Sequence, residues 1–64
     1  MRVNGRDIEV VERLTLADFL RLQQYNLKNI AVERNGEIVP KATYQDVLLK
    51  EEDRLEIVQF VGGG

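Results

Sequence analysis

The chain ends Phe60-Val61-Gly62-Gly63-Gly64, and the α-carboxylate of Gly64 is the one functional group that the sequence sets on a mobile arm. Three glycines hold no fixed conformation, and without Cβ atoms they pass where other residues cannot. Extended, Val61 to Gly64 reaches roughly 13 Å, at about 3.3–3.6 Å per residue. Gly62 and Gly63 would thread a narrow channel and deliver the carboxylate of Gly64 into another protein's active site. A leftover linker is the other reading of such an ending. A free α-carboxylate has a pKa of about 3.3–3.7 and is ionised at neutral pH, hence a very poor electrophile. To accept a nucleophile it must first gain a leaving group, as in an acyl-adenylate. That takes ATP, magnesium and a second protein. Gly62-Gly63-Gly64 lacks the strand-to-helix context and the Lys-Ser/Thr of a phosphate-binding loop, so the chain binds no nucleotide by that motif.

The remaining residues supply no competing chemistry. There is no cysteine and no histidine, which removes thiol nucleophiles, disulfides, imidazole acid–base work and the usual zinc ligands. Nine basic and eleven acidic residues give a net charge of −2, with no basic cluster to follow a nucleic-acid backbone. No apolar run approaches the ~20 residues that span a bilayer, and Met1-Arg2-Val3-Asn4-Gly5 reads as strand and turn rather than as a signal peptide. The expected location is cytoplasmic. Glu51-Glu52-Asp53 could be a weak magnesium or basic-partner site, but an acidic turn is favoured, because hard cations need several convergent oxygens. Lys28, Lys41 and Lys50 read as solvating charges, and Tyr25 and Tyr44 as partial cover for the core. No metal site and no catalytic constellation is expected.

The elements that must position the tail follow from turns and periodicity. At 64 residues, with 44% hydrophobic and 31% charged residues, the chain is one small globular domain with a thin core. Two Asn-Gly pairs specify type I′ hairpins. Asn4-Gly5 sets Met1 opposite Ile8 and Arg2 opposite Asp7, with Met1, Val3, Ile8 and Val10 on one face. Asn35-Gly36 pairs Val32 with Val39 and Arg34 with Glu37. Between the hairpins Leu16, Phe19, Leu20 and Leu27 form a helical stripe, with Thr15 as its cap and Asn26 as its stop. Pro40 closes the second hairpin. Thr43 to Leu49 predicts a short second helical turn, with Tyr44, Val47 and Leu48 in step. Arg54 to Val61 is the last strand. The plan is α+β: a mixed sheet of about five strands around one main helix, the β-grasp arrangement, over residues 1–60, with 61–64 as a flexible tail.

In the last strand Leu55 and Ile57 alternate inward, which sends Val58 and Phe60 outward with Arg54 and Glu56. Two apolar residues on an outer face beside the tail suggest a docking surface. Scattered surface apolars, or Phe60 folding back over a sheet edge, are the alternatives.

The segments Ala31-Val32-Glu33-Arg34-Asn35-Gly36-Glu37-Ile38-Val39-Pro40, Asp53-Arg54-Leu55-Glu56-Ile57-Val58 and Phe60-Val61-Gly62-Gly63-Gly64 resemble the ThiS family of bacterial sulfur carriers in thiazole biosynthesis. The resemblance spans essentially the whole chain, strongest from Ala31 onward. It implies a ubiquitin-like β-grasp with the last strand central and parallel to the first. It implies that Gly64 is adenylated by a ThiF-like enzyme using ATP and magnesium, and that sulfur from a cysteine desulfurase-type source replaces the adenylate to give a thiocarboxylate. A ThiG-like thiazole synthase would then take the sulfur. On this reading the chain is a monomeric cosubstrate and not an enzyme, holds no cofactor itself, and docks through Val58, Phe60 and Glu56. Glu51-Glu52-Asp53 departs from the family's usual Gly-Asp turn. The alternatives are the small subunit of molybdopterin synthase or another β-grasp sulfur carrier, a ubiquitin-like protein modifier, and a non-covalent interaction module.

Overall fold

The computed structural model describes residues 1–10 and 13–60. Both Asn-Gly turns form as the sequence requires. Asn4 and Gly5 sit at φ 50° and 82°, and Asn35 and Gly36 at 53° and 86°, the doubly left-handed backbone of a type I′ turn. The first turn joins β1 (Arg2–Val3) to β2 (Arg6–Asp7), with Arg2 opposite Asp7. Beyond the strand ends, Met1 and Ile8 exchange hydrogen bonds, Ile8 N–H to Met1 C=O at 2.8 Å and the Met1 amino group to Ile8 C=O at 3.1 Å. The second turn joins β3 (Ile30–Arg34) to β4 (Glu37–Ile38), with Arg34 opposite Glu37 and Val39 N–H donating to Val32 C=O.

Helix α1 (Leu16–Leu22) starts where Thr15 Oγ1 accepts from Asp18 N–H at 3.1 Å. Asp18 turns its carboxylate to Arg21, 3.5 Å away. The helix is shorter than its apolar stripe predicts. Gln24 takes φ 64°, Gln24 N–H donates to Arg21 C=O, and Tyr25 N–H donates to Leu20 C=O. These bonds are the Schellman ending. Gln24 is therefore the left-handed stop in place of Asn26. Asn26 instead opens a 3₁₀ turn at Leu27–Asn29, its side chain accepting from Lys28 N–H. Leu27 joins the core from that turn.

The second helical segment also differs from expectation. A 3₁₀ turn occupies Lys41–Thr43 and a further turn follows through Asp46, whose N–H donates to Thr43 C=O; only then is the chain extended, with Leu48 bridged to Thr15. Leu16 N–H donates to Val47 C=O, and Leu49 N–H to Leu14 C=O. Strand-like alternation therefore replaces helical spacing: Leu49 is buried and Leu48 is exposed. Propensity lost here to pairing with the segment that enters α1.

Strand β5 (Arg54–Gln59) completes a five-stranded mixed sheet in the order β2-β1-β5-β3-β4. It runs parallel to β1 and antiparallel to β3, so the last strand is central, as the resemblance implied. Leu16, Ala17, Phe19 and Leu20 of α1 are buried with Val3, Ile30, Val32, Leu55 and Ile57 of the sheet, and Tyr44 and Leu49 close the side. Each large apolar side chain so buried stabilises the fold by roughly 1.5–3 kcal/mol before the entropy of ordering is counted. Tyr25 packs at the margin, while Tyr44 is buried outright.

Candidate functional site: the outer face and upper end of β5

The alternation in β5 runs without a bulge. Leu55 and Ile57 are buried, whereas Arg54, Glu56 and Val58 are exposed, as is Phe60 just beyond. Val58 and Phe60 each keep 54% of their surface in solvent. Their exposure follows from parity: an inward Ile57 forces its neighbours outward. Val58 lies opposite Ala31 of β3, and Glu56 lies opposite Glu33. The three predicted docking residues, Glu56, Val58 and Phe60, are thus brought to one face. The apolar pair sits at the end from which the tail departs. Ile38, opposite Glu33, is also exposed.

Phe60 does not fold back over the edge, since Phe60 N–H donates to Asn29 C=O at 2.7 Å and keeps the chain in line with β3. The predicted threading residues Gly62 and Gly63, the reactive Gly64 and the tail from Val61 onward lie outside the described residues.

Sequence reading missed how β5 is fastened. Asp53, taken as part of an acidic turn, is 3% exposed. Its Oδ2 accepts from Arg34 Nε at 3.1 Å and from Lys50 N–H at 2.8 Å, and its Oδ1 accepts from Asn35 Nδ2 at 3.0 Å. Burial, the largest single influence, pushes its pKa up. The three hydrogen bonds and the Arg34 charge together outweigh that and hold the carboxyl below the usual carboxylate range. An oxygen pair engaged in this way is a structural hub, and only Glu51 and Glu52 of the acidic run face solvent. The same Asn35 accepts from Arg54 N–H through Oδ1 at 2.9 Å. At the other hairpin, Asn4 Oδ1 accepts from Ile57 N–H at 2.7 Å, and Asn4 Nδ2 donates to Ile57 C=O at 3.2 Å. The Asn-Gly signal predicted turns; the second use of both side chains depends on residues up to 53 positions away, which spacing does not reveal.

Among the described residues no group of acidic, histidine or cysteine side chains is arranged to hold a metal ion, and no helix is long and apolar enough to cross a membrane. Among the described residues the arrangement is a central strand with an exposed apolar end. It can be recognised and acted upon.

The comparisons agree with this anatomy. The family model of the ThiS family matches residues 1–64. The sulfur carrier protein ThiS of Bacillus subtilis is 42% identical over an alignment of 65 positions that covers 100% of this chain and 98% of that protein. A thiazole synthase of Paramagnetospirillum magneticum is 40% identical over 62 residues, 97% of this chain but 19% of the synthase, so the chain spans about a fifth of that relative's length. The crystal structure of the thiamine biosynthesis protein ThiS from Geobacter metallireducens superposes with a TM-score of 0.75 at 29% identity, covering 98% of this chain and 96% of that one. Sequence and sheet topology therefore converge on one conclusion, that the chain belongs to the ThiS family.

Proposed function

We propose that this chain carries sulfur for thiazole formation in thiamine biosynthesis, with the C-terminal carboxyl of Gly64 as the point of attachment. The match to the ThiS family across residues 1–64, terminal glycines included, carries this reading. The Gly64 carboxylate attacks the α-phosphorus of ATP on a ThiF-like activating enzyme, forming the acyl-adenylate and releasing pyrophosphate. The terminal sulfur of a desulfurase-type persulfide attacks the acyl carbon and expels AMP, and a thiol supplies the two electrons that cleave the resulting acyl disulfide. The product is a thiocarboxylate. A ThiG-like thiazole synthase takes the sulfur and returns the carboxylate. A matching region within a thiazole synthase of another organism supports that last partner. ATP and magnesium belong to the activating enzyme.

This chain supplies the tail and the docking face. Val58 and Phe60 rest against each partner in turn with Glu56 beside them, while Gly62 and Gly63 lie in the partner's channel. The absence of cysteine leaves no internal thiol to attack the activated acyl group.

The test is intact mass of the full chain after incubation with the activating enzyme, ATP, magnesium and sulfide. The expected product is heavier by the difference between a sulfur and an oxygen, maps to Gly64, and is lost when Gly63 and Gly64 are deleted. An unmodified mass with a demonstrably active enzyme overturns the sulfur reading, and Gly64 joined to a lysine would establish a protein modifier instead.

A further inference from the structure

Strand β1 is only two residues long, yet β5 needs a neighbour on that side beyond Leu55. Asn4 N–H donates to Leu55 C=O at 2.9 Å, and there the main chain turns away through the left-handed Asn4-Gly5 pair. The next rung is made by the Asn4 side chain. Its amide meets both main-chain groups of Ile57, accepting from N–H at 2.7 Å and donating to C=O at 3.2 Å. A carboxamide carries a donor and an acceptor at the spacing of a peptide group, so it stands in for the strand residue that β1 lacks. Antiparallel pairing directs alternate β5 residues to β3, and Ile57 falls on the opposite phase. Asn4 is consequently the partner of the Ile57 main chain among the described residues, three residues before Phe60.

We infer that Asn4 is a positioning residue for the carrier reaction. It acts through Ile57, holding the upper half of β5 straight so that Val58 and Phe60 are displayed. The inference rests on the carrier reading above. Residue type supports the role: Asn accepts positive φ at low cost and carries the amide, whereas Gly meets only the first requirement and Asp only part of the second. A strand end freed on this side would dock only when it happened to be straight. Apparent affinity for the activating enzyme would then fall by the competent fraction, while turnover once docked would not change.

The test compares full-length wild type, Asn4→Gly, Asn4→Asp and Thr15→Ala; the last weakens the α1 cap without touching a β5 hydrogen bond. The first readout is amide hydrogen exchange. In Asn4→Gly the Ile57 amide should exchange about tenfold faster relative to that of Val58, whose N–H lies on the β3 side. The second is pyrophosphate release by the activating enzyme as a function of carrier concentration. Asn4→Gly should raise KM about fivefold with kcat unchanged, Asn4→Asp should fall between it and wild type, and Thr15→Ala should keep the wild-type KM. Unchanged Ile57 exchange, or an Asn4→Gly KM equal to that of Thr15→Ala, overturns the positioning role and leaves the carrier reading standing. A wild-type chain that is not adenylated overturns the carrier reading and this role with it.

Discussion

The Asp53 carboxylate is the buried charge of the acidic run at 51–53, with 3% of the residue's surface exposed. Beside Glu51 and Glu52 it looks like solvated charge, yet it is the buried acceptor that ties Arg34, Asn35 and Lys50 to the start of β5. Its folded pKa lies below the ordinary carboxylate value. The stability it contributes is therefore present above about pH 4 and is lost as pH falls through the depressed value. Asp53→Asn should lower stability at pH 7 by about 1–3 kcal/mol, since its amide must set an N–H against a donor. It should also flatten the acid limb of a plot of Tm against pH; a wild-type acid limb in Asp53→Asn would refute the assignment. Tyr44 presents the opposite case. Its hydroxyl is buried without a hydrogen-bond partner among the described residues, and burial pushes its pKa up. Tyr44→Phe removes an unpaired polar atom while keeping the ring, so the variant should be more stable by about 1 kcal/mol. For a domain this small that is about 4–8 °C in Tm.

At the scale of elements, short-range chemistry was legible wherever it was strong. Both hairpins follow from the left-handed tolerance of Asn-Gly, and registers predicted from turn length agree with the pairing of Arg2 with Asp7 and Arg34 with Glu37. Helix α1 was legible at its start, where Thr15 caps, and not at its end. Gln24 is a poor left-handed residue, and nothing in its type marks it as a stop. Gln24→Gly at φ 64° relieves that strain and should stabilise the chain by about 1 kcal/mol, read as a rise in Tm. A fall would mean that the Gln24 side chain contributes more than the strain costs. The 43–49 segment was misread for a different reason. Tyr44, Val47 and Leu48 have helical spacing, but the turn ends at Asp46, and backbone pairing with Leu14 and Leu16 draws Val47 to Leu49 out straight. Tertiary hydrogen bonds decide between two local options of similar energy.

For the molecule as a whole, the sheet order places β5 between β1 and β3, paired with β1 at Arg54 and Leu55 and with β3 as far as Gln59. The exposed apolar face is then a consequence of topology. A central strand with one buried face must expose its other face, and Val58 and Phe60 are the apolar residues that fall there. Phe60→Ala and Val58→Asp should leave Tm nearly unchanged, because both side chains are half exposed, while raising KM for adenylation about tenfold or more. Wild-type adenylation kinetics in both variants would remove the docking assignment and leave the tail chemistry untouched. The candidate site was legible in its parity, which needs only an unbulged strand. The clamps by Asn4 and Asn35 were not, because each joins residues far apart in the chain.

By itself the sequence determined the chemistry on offer, the two turns, the start of the helix and the side of the last strand that faces out, because each depends on residue type or on neighbours a few positions away. The tertiary structure alone decided where α1 stops, how residues 43–49 run, and that Asp53 is buried. It also decided that two turn asparagines bind the last strand. Those outcomes depend on which distant hydrogen-bonding groups meet once the core has closed, and a buried polar group takes its role from the partners it finds there.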